Sequence, residues 1–293
     1  MDIIDSESVR ETDGHVLAID APRRQYRPYD ISNRRQILWG AFALGVYGLS
    51  RRSLAEDTTA TTIADLVASN HILFSHGVLD NYGHVSARSP VRADCFLLSR
   101  SLAPNSVTTK DILEFDLDGR VVDDAGRRLY LERFIHSAIY RTRPDVMAIV
   151  HSHSASSIAF SISSIPLRAV THFGAFIGDH VPVFEADSDG TNPTLLIANE
   201  AIGMQLAATL GQNQMILIRG HGDVIVGPSV GIVTTRALNA AKNGEVLLDS
   251  YRLGREIKSL TTDEDRALMK MEAVDLEQRE WTALKLKEAA TRQ

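Results

Sequence analysis

The segment Val146 to His151 sets the tightest limit on the fold. It is a short, continuous apolar run that begins just after Pro144, and it reads as a buried strand. A buried strand needs further strands beside it and helices across it. The rest of the chain offers both. Strand-like pieces stand at His84–Arg88, Cys95–Leu98, Ile112–Asp116, Met215–Arg219 and Asp223–Val226. Asp118-Gly119 is a turn signal, and Gly220-His221-Gly222 joins the last two pieces. Ile63, Leu66, Val67, Ile72 and Leu73 follow helical spacing, with Thr61 or Thr62 as the expected cap and Gly77 as the stop. Further helices are expected at Leu131–Arg141, Ser154–Ser161, Asn192–Gly211 with Pro193 in its first turn, and Ser229–Tyr251 capped by Ser229. A charged helix is expected over Thr262–Ala290. Strands and helices mix without strict βαβ alternation. The expected fold is α/β: a single layered domain over residues 57–255, with a central mixed or antiparallel sheet flanked by helices and a C-terminal helical extension over 256–293.

Residues 1–56 are different in kind. Over residues 21–52, Arg23, Arg24, Arg27, Arg34, Arg35, Arg51 and Arg52 face a single acid, Asp30, and Ile37 to Leu49 carries no charge. Basic residues followed by a short apolar run and then small residues form the grammar of an export signal. Ser32-Asn33-Arg34-Arg35-Gln36-Ile37-Leu38 resembles a twin-arginine signal, and Ser53-Leu54-Ala55 offers a cleavage site. The expectation is a periplasmic protein. A helical extension on a cytoplasmic body is the alternative.

The net charge of −6 argues against a general nucleic-acid surface. No apolar run reaches the ~20 residues of a membrane span. The lone Cys95 excludes an intrachain disulfide framework. Histidine is the informative residue: nine of ten lie between His71 and His221. His151-Ser152-His153 follows the apolar strand, and residues two apart in extended chain point to one side. Both imidazoles can therefore serve one metal ion, and neutral imidazole suits zinc, manganese or iron. His221, flanked by two glycines that allow close backbone approach, is the third candidate. Three histidines and an open position make a familiar catalytic metal site. Glu132 opens the helix at 131 and is placed either to ligate the metal, to move protons, or only to favour the helix dipole. His136, four residues on, either supports Glu132 or is a core histidine.

These pieces together resemble the class II aldolase/adducin-like family over about residues 60–255. The matching motifs are Gly83-His84-Val85-Ser86-Ala87-Arg88, Phe96-Leu97-Leu98-Ser99, Asp111-Ile112-Leu113, Asp116-Leu117-Asp118-Gly119, Glu132 with His136, Arg143-Pro144-Asp145-Val146, His151-Ser152-His153, and Arg219-Gly220-His221-Gly222 with Gly227. The resemblance implies a helix-sandwiched sheet and a ring-shaped homotetramer with active sites between subunits. It implies one divalent ion per subunit on His151, His153 and His221 (zinc ahead of manganese or iron), with Glu132 as the acid/base. A lysine imine is a poor alternative, because Lys110 is the only lysine before Lys242.

Within the family, sugar-phosphate members usually carry Gly-Asn where this chain has Gly83-His84. Their phosphate loop is replaced here by Ser99-Arg100-Ser101-Leu102-Ala103-Pro104, and an arginine suits a carboxylate. With Tyr130-Leu131-Glu132-Arg133 and His172, this looks like the decarboxylase-type branch. The expected function is decarboxylation of a hydroxylated aromatic carboxylate. His84, Arg88, Ser99, Arg100 and His172 are the expected substrate contacts. Surface salt bridging is the plain alternative for Arg88 and Arg100, and a core role is the alternative for His84. The competing functions are an aldolase or epimerase on a small hydroxy-carbonyl or sugar-phosphate substrate, and a non-catalytic adducin-like interaction protein.

Overall fold

Residues 42–123, 126–254, 256–271 and 277–291 are described by a computed structural model, with side chains from residue 57 onward. Most of the export-like segment lies outside the described residues. No described helix is long and apolar enough to cross a membrane.

Seven strands form one sheet: β1 (His84–Arg88), β2 (Cys95–Ser99), β3 (Ile112–Asp116), β4 (Ala148–Ser152), β5 (Val183–Phe184), β6 (Met215–Ile218) and β7 (Gly222–Gly227). Their order is β3-β2-β1-β4-β7-β6-β5. All neighbours are antiparallel except β5 and β6, so the sheet is mixed. The strand read from Val146–His151 is β4, at the centre of that order.

Side chains alternate strictly between two cores. Val85, Ala87, Leu97, Ala148, Val150, Leu217 and Ile225 face one core, which α1 (Phe42–Ser75), α3 (Ala155–Ser161) and α5 (Val230–Leu253) help to cover. Phe96, Leu98, Phe115, Ile149, Ile216, Ile218 and Val224 face the other, under α2 (Arg133–Thr142) and α4 (Glu200–Leu210). The same parity puts His84, Ser86 and His151 on the α2 side.

Two helix starts differ from expectation. α1 begins at Phe42, well before the expected cap. Thr61 and Thr62 cap nothing; their hydroxyls donate back to the Asp57 and Thr58 carbonyls inside the helix. No proline or glycine interrupts residues 49–76, so the helix runs through. α4 starts at Glu200 because Asn199, not Pro193, sits at its cap and accepts from the Ile202 amide. Asn192 instead ties a loop by donating to the Ala186 and Leu196 carbonyls. Over the expected C-terminal helix the described residues form α6 (Thr262–Met271) and α7 (Glu277–Thr291), and residues 272–276 lie outside them. Trp281 of α7 is buried in the α5-side core.

Candidate functional site

Glu132, His151, His153 and His221 converge so closely that one ligand atom from each lies within 4.8 Å of the others. Each arrives by its own route. His151 ends β4 on the α2 side. His153 lies just past the strand end. His221 occupies the tight turn between β6 and β7, where Gly220 adopts φ +66°. Gly222 lets β7 pass against β4: a Cβ there would stand 2.0 Å from the Ser152 carbonyl oxygen. Glu132 is the residue before the first turn of α2 and caps no amide of that helix with its side chain.

The outer nitrogens decide what the cluster can hold. His151 Nδ1 lies 2.9 Å from the Asp223 carbonyl oxygen. His153 Nδ1 lies 2.9 Å from Asp80 Oδ2. His221 Nδ1 lies 3.2 Å from the Leu195 carbonyl oxygen. All three partners are acceptors, so each ring donates from Nδ1 and is left with a lone pair on Nε2. The Nε2 atoms of His151 and His153 face each other at 3.2 Å. Those of His151 and His221 stand 3.5 and 3.4 Å from Glu132 Oε2. Lone pairs and a carboxylate aimed at one point repel one another unless a cation or added protons lie between them. A divalent ion fits this donor set: three imidazoles and a carboxylate suit zinc, manganese or iron.

The electrostatics agree. Burial alone would raise the Glu132 carboxyl, but hydrogen bonds and charge from His151 and His221 outweigh it and hold the group far below the carboxylate range. Burial works against charge on His151, yet Glu132 raises its pKa above that of an ordinary imidazole. Glu132 Oε1 accepts the Ile197 amide at 3.0 Å, which fixes the carboxylate while Oε2 faces the rings. Leu195 stands at φ +59°, and it is the one non-glycine residue in the left-handed region among the described residues. That strained turn aims its carbonyl at His221. His153, His221, Leu195, Thr194 and Ile158 line a cavity of about 340 Å³.

The other expected contacts divide. His84 joins the cluster's edge: it pairs with His151 across β1 and β4, and their rings lie 5.2 Å apart. Arg100 is the residue just past the end of β2. Arg100 Nε donates to Asp111 Oδ1 at 2.7 Å. Ser99 is fully buried at the end of β2. Arg88 is not a ligand-facing group. It is buried, and its guanidinium donates to the carbonyls of Val146, Ala93, Tyr140 and Arg143, so it ties strand to helix ends. His172 is not brought to the cluster. Asn243 of α5 holds residues 170 and 171 on the other side of the sheet, and His172 lines a separate cavity beside α5, α6 and α7. His136 does not support Glu132; its ring nitrogens meet Ser86 and His84.

Sequence reasoning missed Asp80 and Asp223. Asp80 also accepts the Tyr82 and Gly83 amides, so a loop carboxylate both shapes its turn and orients His153. Burial raises Asp80 while His153 and those amides lower it, and the net shift is downward. A turn aspartate before Gly83 was the only available signal. Asp223 offers its carbonyl to His151 and accepts from Ser152 Oγ at 2.9 Å. Burial pushes its carboxyl up to about 6, against the hydrogen bond from Ser152.

Comparison with known proteins places these features. The family profile of the class II aldolase and adducin N-terminal domain matches residues 64–246. A decarboxylase, tropJ, of Talaromyces stipitatus is 34% identical over 204 residues, covering 65% of this chain and 77% of that protein. A Streptomyces roseochromogenus protein named 4-hydroxy-3-prenylphenylpyruvate oxygenase/4-hydroxy-3-prenylbenzoate synthase is 30% identical over 150 residues. That match covers 50% of this chain and 52% of the relative, about half its length. L-fuculose 1-phosphate aldolase from Glaciozyma antarctica superposes with a TM-score of 0.67 at 24% identity, covering 80% of this chain and 93% of that one. At that identity the likeness is one of fold.

Proposed function

Because the chain belongs to the class II aldolase and adducin family, on its decarboxylase-type branch, we propose that it is a metal-dependent carbon–carbon lyase that decarboxylates a hydroxylated aromatic acid. The observation that carries this reading is the convergence of three imidazole Nε2 lone pairs and the Glu132 carboxylate on one point beside a small cavity. An interaction module has no use for that arrangement. His151, His153 and His221 would hold the ion, with zinc favoured over manganese or iron. A bound divalent ion supplies a Lewis acid that takes up the negative charge left when the carbon–carbon bond breaks.

The chain's own residues supply the rest. Arg100, with Nε committed to Asp111, offers its remaining N–H groups to a substrate carboxylate. Glu132 enters as the carboxylate, so its first act is to accept the hydroxyl proton of the substrate at Oε2. The carboxylate carbon leaves as carbon dioxide, and the bonding pair stays on the ring carbon. Glu132 then returns its proton to that carbon, and the proton count closes. The working unit in this reading is a homotetramer, which light scattering tests directly.

The test begins with metal. Full-length protein loaded with zinc, manganese or iron and then desalted should keep about one ion per chain. Incubation with a panel of hydroxybenzoic acids should release carbon dioxide. Glu132→Gln should abolish release while keeping most of the metal. A loaded protein that retains no ion overturns the reading. So does a panel that gives no carbon dioxide while sugar phosphates give aldehyde, which would make the protein an aldolase.

A further inference from the structure

β1 presents His84 and Ser86 to the α2 side of the sheet, and α2 answers with His136 and Tyr140. All four side chains are buried, with at most 1% exposed. They form one unbranched file. Tyr140 Oη lies 2.9 Å from Ser86 Oγ. Ser86 Oγ lies 2.6 Å from His136 Nδ1. His136 Nε2 lies 2.8 Å from His84 Nδ1. The file then ends beside the metal cluster, because the His84 ring lies 5.2 Å from that of His151 and 4.4 Å from that of Tyr130.

Each contact holds one hydrogen, so the file can point in only two consistent directions. Its inner end decides between them. Among the described residues Tyr140 Oη has one hydrogen-bond partner, Ser86. If Tyr140 accepted there, its own hydrogen would be buried without an acceptor, at a cost of about 1–3 kcal/mol. Tyr140 therefore donates to Ser86. Ser86 then donates to His136 Nδ1. His136 keeps its hydrogen on Nε2 and donates it to His84 Nδ1. His84 is left with its only hydrogen on Nε2. Burial pushes the His136 imidazole down to about 3, so a second proton does not disturb this order near neutral pH.

We propose that His84 is a fixed hydrogen-bond donor beside the metal cluster, with its Nε2–H set by the Tyr140–Ser86–His136 file and offered to a substrate oxygen held there. Its Nδ1 lone pair is occupied and its Nε2 carries hydrogen, so His84 is neither a fourth metal ligand nor a base. The group it recognises is an anionic oxygen, a carboxylate or a phenolate, and this identity rests on the function proposed above. His136, Ser86 and Tyr140 are positioning residues that act through it.

Neutron diffraction from the deuterated full-length protein reads the tautomers without any turnover. Deuterium is expected on Nε2 of both His84 and His136. Deuterium on His84 Nδ1, with Nε2 bare, overturns the proposal. In His136→Phe, which removes the donor to His84 Nδ1, the deuterium on His84 is expected to divide between the two nitrogens. If it stays wholly on Nε2, the file does not set the tautomer and that part falls. Salicylate binding to the zinc-loaded protein tests the donor. His84→Leu should weaken it roughly 10- to 100-fold, the loss of a hydrogen bond to a charged oxygen. His84→Gln, which keeps an N–H near the Nε2 position, should recover most of the affinity. Zinc content should not change in either variant. Unchanged salicylate affinity in His84→Leu overturns the donor role. Zinc-loaded wild type that binds no salicylate counts against the substrate reading, and the deuterium position still decides the tautomer.

Discussion

Asp80→Asn isolates one hydrogen bond outside the metal ligands. In the native site Oδ2 accepts from His153 Nδ1 at 2.9 Å, while Oδ1 accepts the Tyr82 and Gly83 amides at 2.8 and 3.0 Å. An asparagine keeps one oxygen. If that oxygen serves the turn, the amide nitrogen meets the His153 Nδ1–H, and two donors face each other. His153 then moves its hydrogen to Nε2 or rotates, and either change costs metal binding. Losing such a support weakens metal affinity by about 10–100-fold. The Asp80 side chain is 47% exposed, so solvent screens the charge and the lower end applies. The expected loss is about tenfold, or about 1.4 kcal/mol. Zinc competition against a chromophoric chelator measures it on the full-length protein. The thermal midpoint of the metal-free protein should barely move, because the turn keeps its acceptor. An affinity within twofold of wild type would refute the argument that Asp80 sets the His153 tautomer.

Three further outcomes follow from the packing. Arg88→Met leaves four carbonyls without their donor and should cost about 3 kcal/mol in denaturant unfolding. Salicylate affinity of the folded, zinc-loaded variant should stay at the wild-type value; a selective loss would restore Arg88 as a ligand contact. Gly222→Ala forces β4 and β7 apart at the Ser152 carbonyl, so both stability and zinc affinity should fall, the former by about 1–3 kcal/mol or more. Equal stability by urea titration would refute the close approach. Asp223 has a folded pKa near 6, raised by burial from 3.8. The folded state then binds more protons than the unfolded state between those values, so metal-free stability falls as pH rises through them. The full penalty, about 3 kcal/mol, is present above pH 6. Asp223→Asn should therefore stabilise the EDTA-treated protein at pH 7.5 and do little at pH 4. Equal effects at both pH values, in thermal melts, would count against a charged Asp223.

The parts of the fold that were legible were those with a period. β1, β3, β4, β6 and β7 announced themselves by apolar runs and turn residues, and α5 by its serine cap. The convergence of the four candidate ligands was legible too, because His-Ser-His and Gly-His-Gly are compact and chemically loaded. Tertiary direction was not legible. Arg88 alternates onto the same face as His84, but sequence does not say that carbonyls from Val146 and Arg143 close around it. His172 lies 19 residues after His153, yet Asn243 holds its neighbours Val170 and Thr171 on the opposite face. His136 sits at helical spacing from Glu132, but the angle at which α2 crosses β1 hands it to His84 instead. Asp80 orients His153 across 73 residues of chain, a relation with no local trace.

The three Nδ1 anchors have a consequence for how a preparation is judged. They join chain positions 72, 73 and 26 residues apart. No fragment short of the closed sheet contains all three pairings, and long-range contacts of this kind form late in folding. A half-folded or mis-threaded chain can still display helical circular dichroism, but it lacks the geometry that draws three Nε2 atoms together. If the site holds the proposed ion, bound metal per chain counts the molecules whose strands have found their proper neighbours. It is a topological assay that needs no substrate.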